Sequence, residues 1–368
     1  MENSKVKIIA MYLPQYHSIP ENDEFWGQGF TDWVSVKSSQ PLFEGHKQPR
    51  APMSGYYYDL SSKKDIAGQI SLAHKSGVYG FGIYHYWFNN EKNLLTRPAE
   101  IIRDSKELDI NYFFAWDNIS WKRSWSNVKG NDWAPINDLK TDKKDGPAVL
   151  IPYILGTEAD WLNHFNYLLS HFKEERYIKV EGKPVFVIYH YSDQIKEMAM
   201  YWDLQAQKNG FAGMYFIYRY DPLLYIPSDL TTFTYEPIYS GWGSLKERFF
   251  ARMKKKMHVA DKRKIYDYDT IWDNLLRNAL KHTEHNRLHG AFVSYDDTPR
   301  RGSKGIIVLN DSPYKFTNYM RRLIEICKFQ QKEFIFLTAW NEWGEGAYLE
   351  PDEMNGLAYI NALKDAIS

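Results

Sequence analysis

The sequence predicts a single (β/α)8 barrel, the TIM-barrel architecture, over residues 1–368, with long loops over the C-terminal mouth of its sheet. Three observations carry that expectation. Eight short apolar or aromatic segments bounded by turn residues recur along the chain. Most are separated by stretches with helical apolar spacing, the alternation that builds a parallel sheet. No GxGxxG follows the first segment and no GxxxxGK[ST] occurs, so the runner-up, a doubly wound nucleotide-binding sheet, lacks its fingerprint. With 44% hydrophobic residues the chain can bury one large core, and no repeat, low-complexity tract or Pro/Gly/Ser linker divides it.

The expected strands are KIIAMYL (7–13), YGFGIYHY (79–86), NYFFAW (111–116), PVFVIY (184–189), MYFIYR (214–219), TTFTYE (231–236), GAFVSY (290–295) and FIFLTAW (334–340). A helix is expected after the first, with Ile66, Ile70 and Ala73 on one face, Ser61 or Ser62 as its cap and Gly77 as its stop. Another begins at Thr157 and carries Trp161, Phe165, Leu168 and Phe172 in one stripe. Further helical spacing runs over about 193–208, 270–284, 314–328 and 354–367. Only the connection after the fifth strand lacks a clear pattern. Two excursions, 14–60 and 117–156, the second with Trp121, Trp125 and Trp133, should lie over the mouth, where barrel loops build sites.

Forty-six basic residues balance forty-six acidic ones, so no net field draws nucleic acid or an anionic membrane. A neutral partner is expected. The basic segment ARMKKKMHVADKRK (251–264) is read as a solvated helix face. Cys327 is the only cysteine, which excludes an internal disulfide and a Cys-based zinc cluster. The N-terminus lacks the apolar core of a signal peptide, and no run approaches the ~20 apolar residues of a spanning helix. These features predict a soluble, cytoplasmic chain without membrane span, nucleic-acid partner or cofactor. Tyr, Phe and Trp make up 17% of the chain, and Tyr and Trp suit a site that stacks on a sugar and hydrogen-bonds it.

In a barrel the C-terminal strand ends share one cavity. The candidates there are Tyr12, Gln15 and His17; Tyr84, His85, Tyr86 and Trp87; Trp116, Asp117 and Asn118; Tyr189 and His190; Tyr218, Arg219 and Asp221; Tyr235 and Glu236; Tyr295, Asp296 and Asp297; and Trp340, Asn341, Glu342 and Glu345. His17, His85, His190 and Asp296 do not fall into an HExxH or comparable ligand pair, and no metal is expected. Glycoside chemistry needs only two carboxyl groups, one protonated and one ionised. Glu342 and Glu345, in AWNEWGEGAYLEPD (339–352), are that pair. Their i, i+3 spacing puts the Cβ atoms ~5–6 Å apart if the turn is helical, near the ~5–5.5 Å carboxyl separation of retaining glycosidases. Trp343 and the tyrosines would exclude water and raise one of the two pKa values. Glu350 and Asp352, in LEPD, read as a proline-defined loop capping the last helix.

Five stretches together carry a resemblance that runs from about residue 7 to residue 365: KIIAMYLPQYHSIPENDEFWGQGFTDWVSVKSSQPLFEGHKQP, GFGIYHYWF, RYIKVEGKPVFVIYH, YDDTPRR and AWNEWGEGAYLEPD. They resemble the WbsX-type family of bacterial O-antigen and capsule biosynthesis clusters, which is similar to glycoside hydrolase family 99, the endo-α-1,2-mannosidases. The resemblance implies a (β/α)8 barrel that cleaves, or transfers across, a glycosidic bond of a surface polysaccharide or its precursor. It implies Glu342 as base toward a sugar 2-hydroxyl, forming a 1,2-anhydro intermediate. Glu345 would be the acid on the leaving oxygen that later activates water, and configuration would be retained. By analogy Tyr12, Tyr84, His85, Trp87, Trp116, Tyr189 and Tyr235 would line sugar subsites, joined by the strand-end residues His17, Asn118, Glu236, Asp296, Trp340 and Asn341. The chain departs from the pattern at Gly344, where family 99 carries His, and at Ile119, where the WbsX branch carries an acid. The alternatives are a glycosyltransferase using an activated donor, of which Asp296-Asp297 is a partial DxD echo, and a noncatalytic glycan-binding barrel.

Overall fold

The computed structural model describes residues 6–122, 149–243 and 264–368. Eight parallel strands close on themselves: β1 (Lys7–Tyr12), β2 (Gly80–Asn89), β3 (Asn111–Trp116), β4 (Lys183–Ile188), β5 (Tyr215–Arg219), β6 (Thr232–Phe233), β7 (Arg287–Phe292) and β8 (Phe334–Thr338). Each pairs with the next, and β8 returns to β1 in register from Lys7↔Phe334 to Ala10↔Leu337. This is the expected (β/α)8 barrel, and closure leaves no unpaired edge.

Helices wrap the barrel: α1 (Lys63–Ser76), α2 (Arg97–Asp104), α3 (Glu158–Phe172), α4 (Asp193–Lys208), α5 (Tyr268–Lys281), α6 (Pro313–Phe329) and, after β8, α7 (Ala358–Ile367). Local chemistry sets their ends. Ser62 accepts a hydrogen bond from the Asp65 N–H, and Gly77 closes α1 in the left-handed region at φ 82°. Thr157 and Asp160 form a capping box at α3. The β5–β6 connection, 220–231, has no helix. The short α2, which begins with Arg97-Pro98, gave no sequence pattern long enough to read. Strand β7 starts at Arg287 and not at Gly290, because Arg287 and Leu288 pair with Thr232 and Phe233 although a charge opens the run.

The barrel interior is aromatic. Phe336 stacks on Phe233 with centroids 4.4 Å apart and packs on Phe113 at 5.9 Å. Gly82 belongs to the same layer; a Cβ there would lie 2.9 Å from Met11 Sδ and 3.0 Å from Phe113 Cε2, so a larger residue would have to displace one of them. Over the mouth, the first excursion carries two short helices, Pro20–Trp26 and Asp32–Ser38. It is locked down by Tyr16, Trp33 and Tyr58, whose rings pack together, and Trp33 in turn packs on Trp343. Of the second excursion, Trp121–Lys122 pairs antiparallel with Val149–Ile151; Trp125, Trp133 and all but Lys264 of the basic segment lie outside the described residues. Among the described residues no helix is long and apolar enough to cross a membrane.

Candidate active site

Period-two alternation along β2 sorts the mouth residues into two layers. Tyr84 follows Gly82 onto the inner face, where its hydroxyl lies 3.1 Å from that of Tyr235 and 3.4 Å from that of Tyr189. Three strand ends thus contribute one hydroxyl cluster. Burial first, then the neighbouring charges, raise the Tyr84 and Tyr235 pKa values well above the ordinary phenol: Tyr189, Tyr235 and Glu342 for Tyr84, and Glu345, Tyr189 and Glu342 for Tyr235. Burial likewise leads the raising of Tyr86 and Tyr295, with the charges of Glu342 and Glu345 contributing to Tyr86 and Tyr295 respectively.

The strand-end residues of opposite parity face the helices, which corrects several sequence expectations. His85 Nε2 lies 2.8 Å from His164 Nε2 on α3, Trp87 stacks on His164 at 4.3 Å, and Trp116 packs edge-on against the same ring at 4.8 Å. Tyr12 donates to Gln69 on α1 at 2.6 Å, and Trp340 packs with Phe81, itself against Tyr12. Consecutive residues cannot share a cavity face on a pleated strand, and these five sit in the wall behind it.

Four more candidates are committed to the scaffold. Asn341 accepts from Leu13 N–H at 2.7 Å and donates to Leu13 O at 3.0 Å, so its amide continues the β8–β1 pairing. Asn118 does the same for His190, both bonds 2.8 Å. Glu236 takes Ser240 N–H at 2.9 Å and Ser240 Oγ at 2.7 Å, and burial pushes its pKa up to about 7. Asp296 receives Gln48 Nε2 at 2.7 Å and lies 2.9 Å from His46 Nε2, anchoring the first excursion. His17 is buried, its pKa lowered chiefly by that burial, and its Nδ1 has no hydrogen-bond partner.

Glu342 and Glu345 do come together. The turn Trp343–Glu345 is 3-10 helical and ends at Gly346 in the left-handed region, φ 56°. Arg300, from the short helix Thr298–Arg301 after β7, donates through Nη2 to Glu342 Oε2 at 2.9 Å and through Nη1 to Glu345 Oε1 at 3.0 Å. One guanidinium therefore holds both carboxylates. It also binds Asp32, Nε to Oδ1 at 3.1 Å and Nη2 to Oδ2 at 3.0 Å. Burial is the first cause that pushes the Glu342 pKa up, to about 8; Arg300 opposes it, while Glu345 and Asp32 add to it. The direction of that shift favours a proton on Glu342 near neutral pH.

Asp32, Arg300 and Tyr16 were missed as site residues. Tyr16 donates to Asn341 O at 2.6 Å and receives Trp343 N–H at 3.2 Å. Arg300 was visible only as part of YDDTPRR, and Asp32 as part of FTDW; nothing local in either sequence points at an acid pair some 40 to 300 residues away. Glu350 corrects the capping expectation. It is buried and accepts from Trp343 Nε1 at 2.7 Å, Tyr58 Oη at 2.8 Å and Gln69 Nε2 at 2.8 Å, beneath the acid turn. Asp352 binds Tyr348 and Asn355, and the N-cap position of α7 is Leu357, without a side-chain cap.

Comparisons with known proteins agree with this architecture. Two "uncharacterized protein WxcX" chains of Xanthomonas campestris pv. campestris are each 28% identical over the whole of this chain, which spans about half their length. Among solved structures, the GH99 endo-alpha-mannosidase from Bacteroides thetaiotaomicron superposes with a TM-score of 0.54 at 14% identity, covering 100% of this chain and 96% of that one. A "glycoside hydrolase-like protein" gives 0.57 at 14% identity over 100% and 95%. These likenesses concern the fold. The family profile described as "Glycosyltransferase WbsX" matches residues 8–363, so the chain belongs to the WbsX family.

Proposed function

We propose that this chain is a carbohydrate-active enzyme that breaks, with retention, a glycosidic bond of a bacterial surface polysaccharide or its precursor, Glu342 and Glu345 dividing the acid and base work. The observation that carries the reading is the shared guanidinium. It keeps two carboxyls of unequal exposure, 6% for the Glu342 side chain and 18% for Glu345, side by side at the barrel mouth. Retaining pairs stand ~5–5.5 Å apart, and a common guanidinium favours that short spacing. The tyrosine hydroxyls of Tyr84, Tyr189 and Tyr235 lie alongside, suited to sugar hydroxyls.

The pKa of Glu342, raised first by burial, suits it as proton donor to the leaving oxygen and leaves Glu345 the other role, which reverses the order implied by the family resemblance. Glu345 then acts as the anionic partner at the sugar, attacking directly or taking the 2-hydroxyl proton, and water completes hydrolysis. A sugar hydroxyl in place of that water gives transfer, the reaction that the family's description names. The test is to incubate the protein with the surface polysaccharide of its source bacterium, with and without nucleotide-activated and lipid-linked sugars, and identify products by mass. Shortened chains without donor support the reading; products that appear only with donor would replace it by a donor-dependent transferase.

A further inference from the structure

We infer that Asp32 and Arg300 form a positioning pair for the two glutamates, and that residue 344 is glycine because this pair occupies the space a side chain there would need. The inference rests on the proposed roles of Glu342 and Glu345, and deepens them.

The geometry runs through three loops. Asp32, at the start of the helix Asp32–Ser38, engages the Nε–Nη2 edge of Arg300 with both carboxylate oxygens, the two-point match that fixes a planar guanidinium in orientation as well as position. With that edge held, the Nη groups are aimed at Glu342 and Glu345. Asp32 also takes the Gly344 N–H at 3.1 Å, so the same carboxylate that orients the arginine pins the turn between the two glutamates. A Cβ on Gly344 would stand 2.5 Å from Arg300 Nε and 2.5 Å from Asp32 Oδ2. Gly344 does not have a positive φ, so the requirement for glycine comes from that close approach and not from backbone conformation.

A purely structural role fits poorly. Three carboxyl groups crowd one guanidinium in a nearly dry site, and a buried ion pair is weak support for a fold even when balanced. The arrangement does make sense as a device for holding two carboxyls close, Arg300 drawing both together while Asp32 offsets part of its pull on the Glu342 proton. Among the described residues the charged groups that bear most on Glu342 are Arg300, Glu345 and Asp32; Tyr16, Tyr84, Tyr86, Tyr189 and Tyr235 also surround it and stay neutral near pH 7.

Two readouts test the pair, one without substrate. In glutamate carboxyl-13C NMR, with Glu342 assigned from Glu342→Gln, removal of the Asp32 charge in Asp32→Asn moves the Glu342 titration to lower pH, and Arg300→Gln moves it to higher pH. Arg300→Lys keeps a cation but loses the fork, so its titration shifts less while kcat on the surface polysaccharide falls ~100-fold with KM nearly unchanged. Gly344→Ala, which leaves every charge in place, lowers kcat by a similar ~10- to 100-fold. Circular dichroism of each variant confirms folding before either readout. An unmoved Glu342 titration in Asp32→Asn and Arg300→Gln, or wild-type turnover in Arg300→Lys and Gly344→Ala, overturns the inference. If the titrations shift as stated but Glu342→Gln or Glu345→Gln keeps full turnover, the proposed function fails and the pair's hold on the carboxyls stands.

Discussion

Glu342 and Glu345 differ in surroundings more than in position. Burial raises the Glu342 pKa to about 8, which is why the proposed function gives this residue the donor's part. The consequence is testable with an activated glycoside, for example a glycosyl fluoride of the sugar found at the cleaved bond. Glu342→Ala should lose ~100-fold or more on polysaccharide yet keep a rapid first release of fluoride, the step that needs no acid, and then stall at the second step, where the same residue must act as base toward water; Glu345→Ala should lose the fluoride release as well, and the opposite result would restore the order the resemblance implies. Glu350 makes a different prediction. Its three buried donors, on Trp343, Tyr58 and Gln69, would be orphaned in Glu350→Ala, at a cost of ~3–5 kcal/mol in urea unfolding. That Glu342 and Glu345 stand together was legible in the sequence because NEWGE places two carboxyls beside tryptophan directly after an apolar strand. Glu350 was misread because the nearby proline suggested a loop, whereas its partners come from residues 58, 69 and 343.

At the scale of elements, β2 separates what sequence reading can and cannot resolve. The strand was legible from YGFGIYHY, and so was the concentration of aromatic and polar groups at its end. The error lay in assigning consecutive residues to one cavity. Pleating sends Tyr84 and Tyr86 inward and His85 and Trp87 outward, and the phase of that alternation depends on barrel register, which Gly82 reports only once its Met11 and Phe113 neighbours are known. The two faces should respond oppositely to substitution. Tyr84→Phe should lower turnover about 10-fold and alter stability by less than ~1 kcal/mol, since it removes one hydroxyl that faces the site. His85→Leu should leave turnover unchanged and cost ~1–3 kcal/mol, because His164 loses its partner inside a dry layer. Turnover and urea midpoints of the two variants decide this; a loss of turnover in His85→Leu with unchanged stability would put His85 back in the site.

The whole molecule carries two opposing sets of buried titratable groups. Burial raises Glu236 and Glu350 to about 7 and Asp297 to about 6. The stability these carboxyls lend is full below the ordinary carboxylate pKa and is lost as pH rises through those values. Burial lowers His85 and His171 to about 3 and His289 to about 4. Their share is full above the ordinary imidazole pKa and is lost as pH falls through 4 and 3. The two slopes, each up to ~1.4 kcal/mol per pH unit and group, offset one another between about pH 4.5 and 6.5. Thermal midpoints should therefore show a plateau there and fall toward both pH 8 and pH 3.5; a midpoint still rising from pH 6 to 8 would contradict the buried-carboxyl account. The barrel itself was readable because strand runs, helix spacing and the Ser62, Gly77 and Thr157 signals agree. The Asp32–Arg300–glutamate junction was not, because three loops distant in sequence meet only after the sheet has closed.

In the proposed function Glu342 and Glu345 together break a glycosidic bond at the mouth of this barrel. The most direct measurement is donor-free release of oligosaccharide from the source bacterium's surface polysaccharide by wild type, Glu342→Gln and Glu345→Gln, with the first-formed anomer read by NMR. Wild type should release product with retained configuration, and each variant should fall ~100- to 10,000-fold while keeping its fold. Full turnover in either folded variant, or release with inverted configuration, would contradict it.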